Sequence, residues 1–152
     1  MYSKIKFKCK KNFKTFKINI MEQIVEKYLQ KGEFRKALNL LEIQKKKASN
    51  NLALNYYLGK IYFQLNDHKK SLFYFKKCNQ INPGNSRILY NIAQVQQGVG
   101  KVEEAKKIYE KLVKKNPLDV KSYYGLFNLG IKNINRNYID KLHALSKDKK
   151  IN

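Results

Sequence analysis

Residues 55–62 run NYYLGKIY and residues 89–96 run LYNIAQVQ, and the fold is decided by the 34 residues that separate them. At that offset Tyr90 answers Tyr56, Ile92 answers Leu58 and Ala93 answers Gly59. The same period sets Gly32, Asn66 and Gly100 in one column, Ala37, Ser71 and Ala105 in a second, and Pro83 and Pro117 in a third. Gly and Asn accept a left-handed backbone at the least steric cost, so the first column marks a turn from one helix into the next. Proline cannot continue a helix interior, so the third column closes each unit.

Upstream of the turn, apolar residues recur at helical spacing: Ile24 and Tyr28; Leu58, Gly59, Tyr62 and Leu65; Ile92, Ala93 and Val99. Downstream, Ala37, Leu38 and Leu41, then Ser71, Leu72 and Phe75, then Ala105, Ile108, Tyr109 and Leu112 form the stripe of a second helix. The two helices make an antiparallel pair. Gly59 facing Ser71, and Ala93 facing Ala105, let the paired backbones approach closely.

A 34-residue helix-turn-helix unit of this pattern resembles the tetratricopeptide repeat. Residues 52–85 match through Leu58, Gly59, Tyr62, Ser71, Phe75, Cys78 and Pro83, with the serine and the cysteine standing where alanine is usual. Residues 86–119 match through Ile92, Ala93, Gly100, Ala105, Tyr109, Leu112 and Pro117, and Gln96 departs from the usual tyrosine. Residues 18–51 match through Tyr28, Gly32, Phe34, Ala37 and Leu41 and lack the closing proline. Residues 120–152 begin the pattern with Tyr123, Tyr124 and Leu126, but Ile134 and Ile139 stand at the positions of the turn glycine and the small residue. The resemblance therefore implies an all-α, right-handed α-solenoid of three repeats over 18–119, closed by a degenerate fourth repeat or capping helices. Residues 1–17 are left as a basic N-terminal arm or targeting segment.

The chain carries 33 basic and 11 acidic residues, a formal charge of +22 over 152 residues. A field that strong favours nucleic acid, anionic membrane surfaces or acidic proteins as neighbours. Lysine outnumbers arginine 30 to 3, although arginine is the side chain suited to bidentate phosphate and base contacts. Much of the charge thus fits a solvated face. No stretch is long and apolar enough to cross a bilayer.

Catalytic chemistry finds no constellation. Cys9 and Cys78 offer neither a disulfide framework nor metal-site spacing. Cys78 falls in a small buried column, and His68 and His143 lack partners at a spacing that builds a nucleophile and base. The run QGVGK at 97–101 lacks the spacing and preceding strand of a phosphate loop and fits an inter-helix turn. An enzyme, a cofactor and a metal are not expected.

The resemblance implies a concave groove lined by the first helices of successive repeats, which in this family commonly holds a partner's peptide or helix. Carried over, its positions are Tyr56, Tyr57, Lys60, Phe63 and Gln64; Arg87, Tyr90, Asn91, Gln94 and Gln97; and Lys121, Tyr124, Asn128 and Lys132. Tyrosines with amides suit an extended peptide; the alternative is that some of these rings pack between repeats. The family's chaperone-tail clamp is disfavoured, because Glu22 and Glu26 occupy positions where it needs groups that attract a carboxylate. A shift by one repeat recovers only Asn91 and Lys121.

Residues 1–17 hold seven lysines and no acid. They fit a mitochondrial targeting segment, a basic arm that places Lys4, Lys6, Lys8, Lys10, Lys11 and Lys14 on RNA phosphates, or a tail whose charge is compositional. The expected function is a non-enzymatic scaffold for protein–protein interaction in a larger assembly or its biogenesis, with a mitochondrial setting preferred to a cytoplasmic one. The alternative is a basic RNA-associated protein of a ribonucleoprotein such as a mitochondrial ribosome.

Overall fold

The computed structural model describes residues 21–45, 50–130 and 135–147. Eight helices and no strand occupy them: α1 (21–30), α2 (Phe34–Lys45), α3 (Leu52–Gln64), α4 (His68–Ile81), α5 (Ser86–Gly98), α6 (Val102–Lys115), α7 (Val120–Phe127) and α8 (Arg136–Lys147). The N-terminal lysines, Cys9 and Lys132 lie outside the described residues.

Local signals set the helix ends. Gly32, Asn66 and Gly100 have φ of 71°, 58° and 78°, the left-handed state their column implied. Each turn closes with the same two bonds: Gly32 N–H to Leu29 O with Glu33 N–H to Tyr28 O, Asn66 to Phe63 with Asp67 to Tyr62, and Gly100 to Gln97 with Lys101 to Gln96, all 2.8–3.1 Å. This pairing satisfies the carbonyls a helix end leaves open. α3, α5 and α7 start after Asn51, Asn85 and Asp119, again 34 residues apart. Asn51 Oδ1 accepts from Leu54 N–H and Asn85 Oδ1 from Arg87 and Ile88 N–H, while Asp119 accepts from the Ser122 hydroxyl at 2.7 Å. α6 has no side-chain cap, but Glu103 and Glu104 lie in its first turn and Lys114 and Lys115 in its last, which complements the helix dipole.

The core is a row of clusters, as a stack of repeats requires. Val25, Ala37, Leu41, Leu54, Leu58 and Ile61 fill the first; Phe75, Cys78, Ile88, Ile92 and Val95 the second; Ala93, Ala105, Tyr109, Leu112, Tyr123 and Leu126 the third. Within the α3/α4 pair the Ser71 hydroxyl donates to Gly59 O at 2.9 Å, and a Cβ on Gly59 would stand 2.7 Å from the Phe75 ring. Both small residues serve the close approach expected of them.

One expectation is corrected. Ile24, Leu65 and Val99 are exposed by 38–45%, and the buried positions are instead Val25, Ile61 and Val95. Leu65 and Val99 directly precede the left-handed residue and cap their helices, so the reversal carries their side chains off the packed face. Ile24 lies on the outermost described helix, where no described element covers that side. In the last unit Ile134 lies outside the described residues, and Gly130, four residues earlier, is left-handed with φ of 93°. It shortens α7 to eight residues, and α8 packs on α7 with Leu145 buried.

Candidate groove between the first helices

α3, the N-terminal half of α5, the start of α7 and the side of α1 line an open cavity of about 870 Å³. Seven residues expected in the groove line it: Tyr56, Tyr57, Lys60, Arg87, Tyr90, Asn91 and Lys121. Glu22, Glu26, Leu52, Ala53, Asn85, Ser86, Ile88, Asn116 and Asp119 complete the wall. The column of caps at 51, 85 and 119 was the missed sequence signal for part of this wall, because each cap begins a first helix.

Other expected residues lie outside the cavity. Phe63 is half-buried in the second core cluster, its ring 5.7 Å from that of His68. Gln94 is half-buried and Gln64 exposed. Gln97 accepts from the Tyr109 hydroxyl at 3.2 Å and donates to Asn128 O at 3.1 Å, so these two residues join α5, α6 and the end of α7. Tyr124 is 55% exposed and stacks on Phe127. The later turns of the first helices are thus partly spent on contacts between pairs, and Lys60 apart, α3, α5 and α7 line the cavity through their early turns.

Two of the groove tyrosines lean on an aromatic of their own second helix: Tyr56 on Phe75 at 5.9 Å and Tyr90 on Tyr109 at 5.6 Å, one repeat apart. The two sequence alternatives are therefore both realised, with one side of the ring packed and another on the cavity wall. Asn91 Nδ2 donates to the Tyr56 hydroxyl at 3.2 Å and links α5 to α3. Lys60 Nζ lies 3.1 Å from Glu26 Oε1 and within 6.0 Å of the Tyr56 and Tyr57 ring centroids. Burial, reinforced by the Glu26 and Glu22 carboxylates, pushes the Tyr57 phenol up to about 12. Burial, then Asp119, raises Tyr90.

The wall holds three acids (Glu22, Glu26, Asp119) and three bases (Lys60, Arg87, Lys121). Bases outnumber acids threefold in the whole chain, so the groove is balanced where the rest is cationic. Among the described residues no group of three or more His, Cys, Asp or Glu is placed to hold a metal ion. Cys78 is fully buried, donates to Leu52 O at 3.6 Å and is pushed by burial up to about 11. A thiol so held stays protonated at neutral pH and fills space. His68 packs its ring against Gly98, where a Cβ would stand 3.2 Å away, and so takes a packing role between α4 and α5.

Residues 63–126 match the family model described as tetratricopeptide repeat. The chain is 28% identical over 89 residues, 59% of its length, to DnaJ homolog subfamily C member 3 of Mus musculus, of which it spans 18%. MamA from Desulfovibrio magneticus RS-1 superimposes with a TM-score of 0.75 at 16% identity, over 85% of this chain and 75% of that one. The first TPR of Spaghetti (RPAP3), bound to the HSP90 peptide SRMEEVD, gives 0.65 at 18% identity over 72% and 87%.

Proposed function

Since the chain is a tetratricopeptide-repeat protein, whose fold supports a protein–protein interaction scaffold, we propose that it holds an extended segment of a partner protein in the groove walled by α1, α3, α5 and α7. The observation that carries this is the cavity itself: about 870 Å³, lined by tyrosines, amides and balanced charges drawn from four successive first helices. Amides pair with a peptide backbone, and tyrosines supply apolar area with a polar tip at little entropic cost. The charge balance selects a segment of mixed charge. A strongly acidic tail of the kind carried by the HSP90 peptide would meet Glu22 and Glu26 on α1.

The lysine-rich, acid-free first 17 residues support a setting in a mitochondrial assembly or its biogenesis. One experiment tests groove and setting together: affinity purification from the native source, with mass spectrometry of the partners and of the N-terminal peptide. Arg87→Ala with Lys121→Ala changes exposed side chains, so it is expected to lose the partner with the circular dichroism unchanged. Capture at the wild-type level removes the groove reading, and an intact Met1 in a cytosolic fraction removes the mitochondrial one.

A further inference from the structure

The offset that aligns α4 with α6 sets Phe73 against Lys107 on the outer side of the second helices. Phe73 is 52% exposed. The positions three and four residues before and after it are Lys69, Lys70, Lys76 and Lys77, and such neighbours share one helix face. Lys77 Nζ lies 4.7 Å from the ring centroid, and Tyr74 meets the ring at 5.2 Å and 79°. Asp67, 2.9 Å from Lys70, is the acid at the start of this face. Around Lys107 the same positions hold Glu103, Glu104, Glu110 and Lys111; around Asn39 they hold Arg35, Lys36, Glu42 and Ile43. Of α2, α4 and α6, it is α4 that combines an aromatic ring with unmixed cations at these positions.

We propose that the outer face of α4 binds single-stranded RNA, with one base stacked on Phe73 and the phosphates before and after it on the two lysine pairs. The pairs are offset by seven positions, about 10 Å along a helix that rises 1.5 Å per residue, so cations precede and follow the ring as phosphates precede and follow a base. Stacking on an aromatic with backbone neutralisation is the general mode of single-strand binding, and it needs no arginine because no base edge is read. A membrane fits less well: Tyr74 and Phe75 beside the ring are buried, which leaves one side chain within the lysine ring to enter an acyl layer.

The chain has no tryptophan, so Phe73→Trp puts a single indole, excited apart from the tyrosines, on the site. With the full chain and a short oligouridylate, saturation quenches the introduced indole, and Phe73→Ala weakens binding by roughly tenfold, within the range for one stacked base. Replacing Lys69, Lys70, Lys76 and Lys77 by Gln lowers the slope of log affinity against log salt by about 3, at about 0.7 per single-strand phosphate. The matched set on α6, Lys106, Lys107, Lys111 and Lys114 to Gln, leaves the slope in place. An unquenched indole at saturation, equal affinity of Phe73→Ala, or an equal loss from the α6 set overturns the proposal. A blue shift on phosphatidylserine vesicles without a response to RNA assigns the face to a membrane and also overturns it.

Discussion

The pairs α3/α4 and α5/α6 share a backbone plan one repeat apart, yet they seat their large second-helix ring differently. In the first pair Gly59 lies under Phe75, and a Cβ there would be 2.7 Å from the ring. In the second pair Ala93 takes that column and the ring of Tyr109 crosses to the following helix, where a Cβ on Gly125 would be 2.6 Å away. Its hydroxyl reaches Gln97, which in turn holds Asn128 O. One glycine shifted from the pair's own helix to the next thus moves the ring's closest backbone approach from within its pair to the following pair.

Truncating the rings should break this comparison most visibly. Phe75→Ala and Tyr109→Ala each remove a buried ring, at about 3–5 kcal/mol, but the losses should be distributed differently. Tyr109→Ala is expected to speed amide exchange through α7 and α8 well before global unfolding, whereas Phe75→Ala should loosen α3 and α4. Identical exchange maps for the two variants would remove the distinction.

The glycines come next. Gly59→Ala and Gly125→Ala each gain about 1 kcal/mol of helix propensity and lose about 1–3 kcal/mol to overpacking against a fixed ring, so both should be net destabilising in urea melts. Phe75→Leu should relieve the Gly59→Ala penalty, with a coupling of about 1 kcal/mol, and leave the Gly125→Ala penalty additive. A cycle showing the reverse would place the rings elsewhere.

The smallest effect separates the pairs by pH. Cys78 and Leu112 share a column, both buried, and only the thiol titrates. Its value rises on folding from 9.0 to about 11, so the native state keeps its proton where the unfolded chain has lost it. That contribution is complete below pH 9 and fades as pH climbs through 11. Cys78→Ala should therefore flatten the alkaline limb of stability between those values, relative to wild type; an unchanged limb would show that the thiol contributes nothing there.

Features tied to a single backbone position were legible in the chain itself. The left-handed turns at Gly32, Asn66 and Gly100, the proline stops and the small residues at Gly59 and Ser71 follow from local sterics that hold wherever the segment is placed. About half of the expected groove wall was legible for the same reason, since helical spacing alone puts Tyr56, Lys60, Tyr90 and Asn91 on the first helices' inner face. Of the wall's acids, Glu22 and Glu26 were placed by the resemblance, whereas Asp119 was not, because it comes from a turn that enters the groove only after stacking.

By itself, then, the sequence determined a solenoid of paired helices with a 34-residue period, because caps, turns and amphipathic stripes act over one or two helical turns. Packing between repeats settled which ring fills which glycine, where the last first-helix stops, how Gln97 and Asn128 leave the groove to join pairs, and that the groove is charge-balanced inside a cationic chain. Those outcomes depend on side chains from different repeats competing for the same space, and sequence spacing does not record who wins.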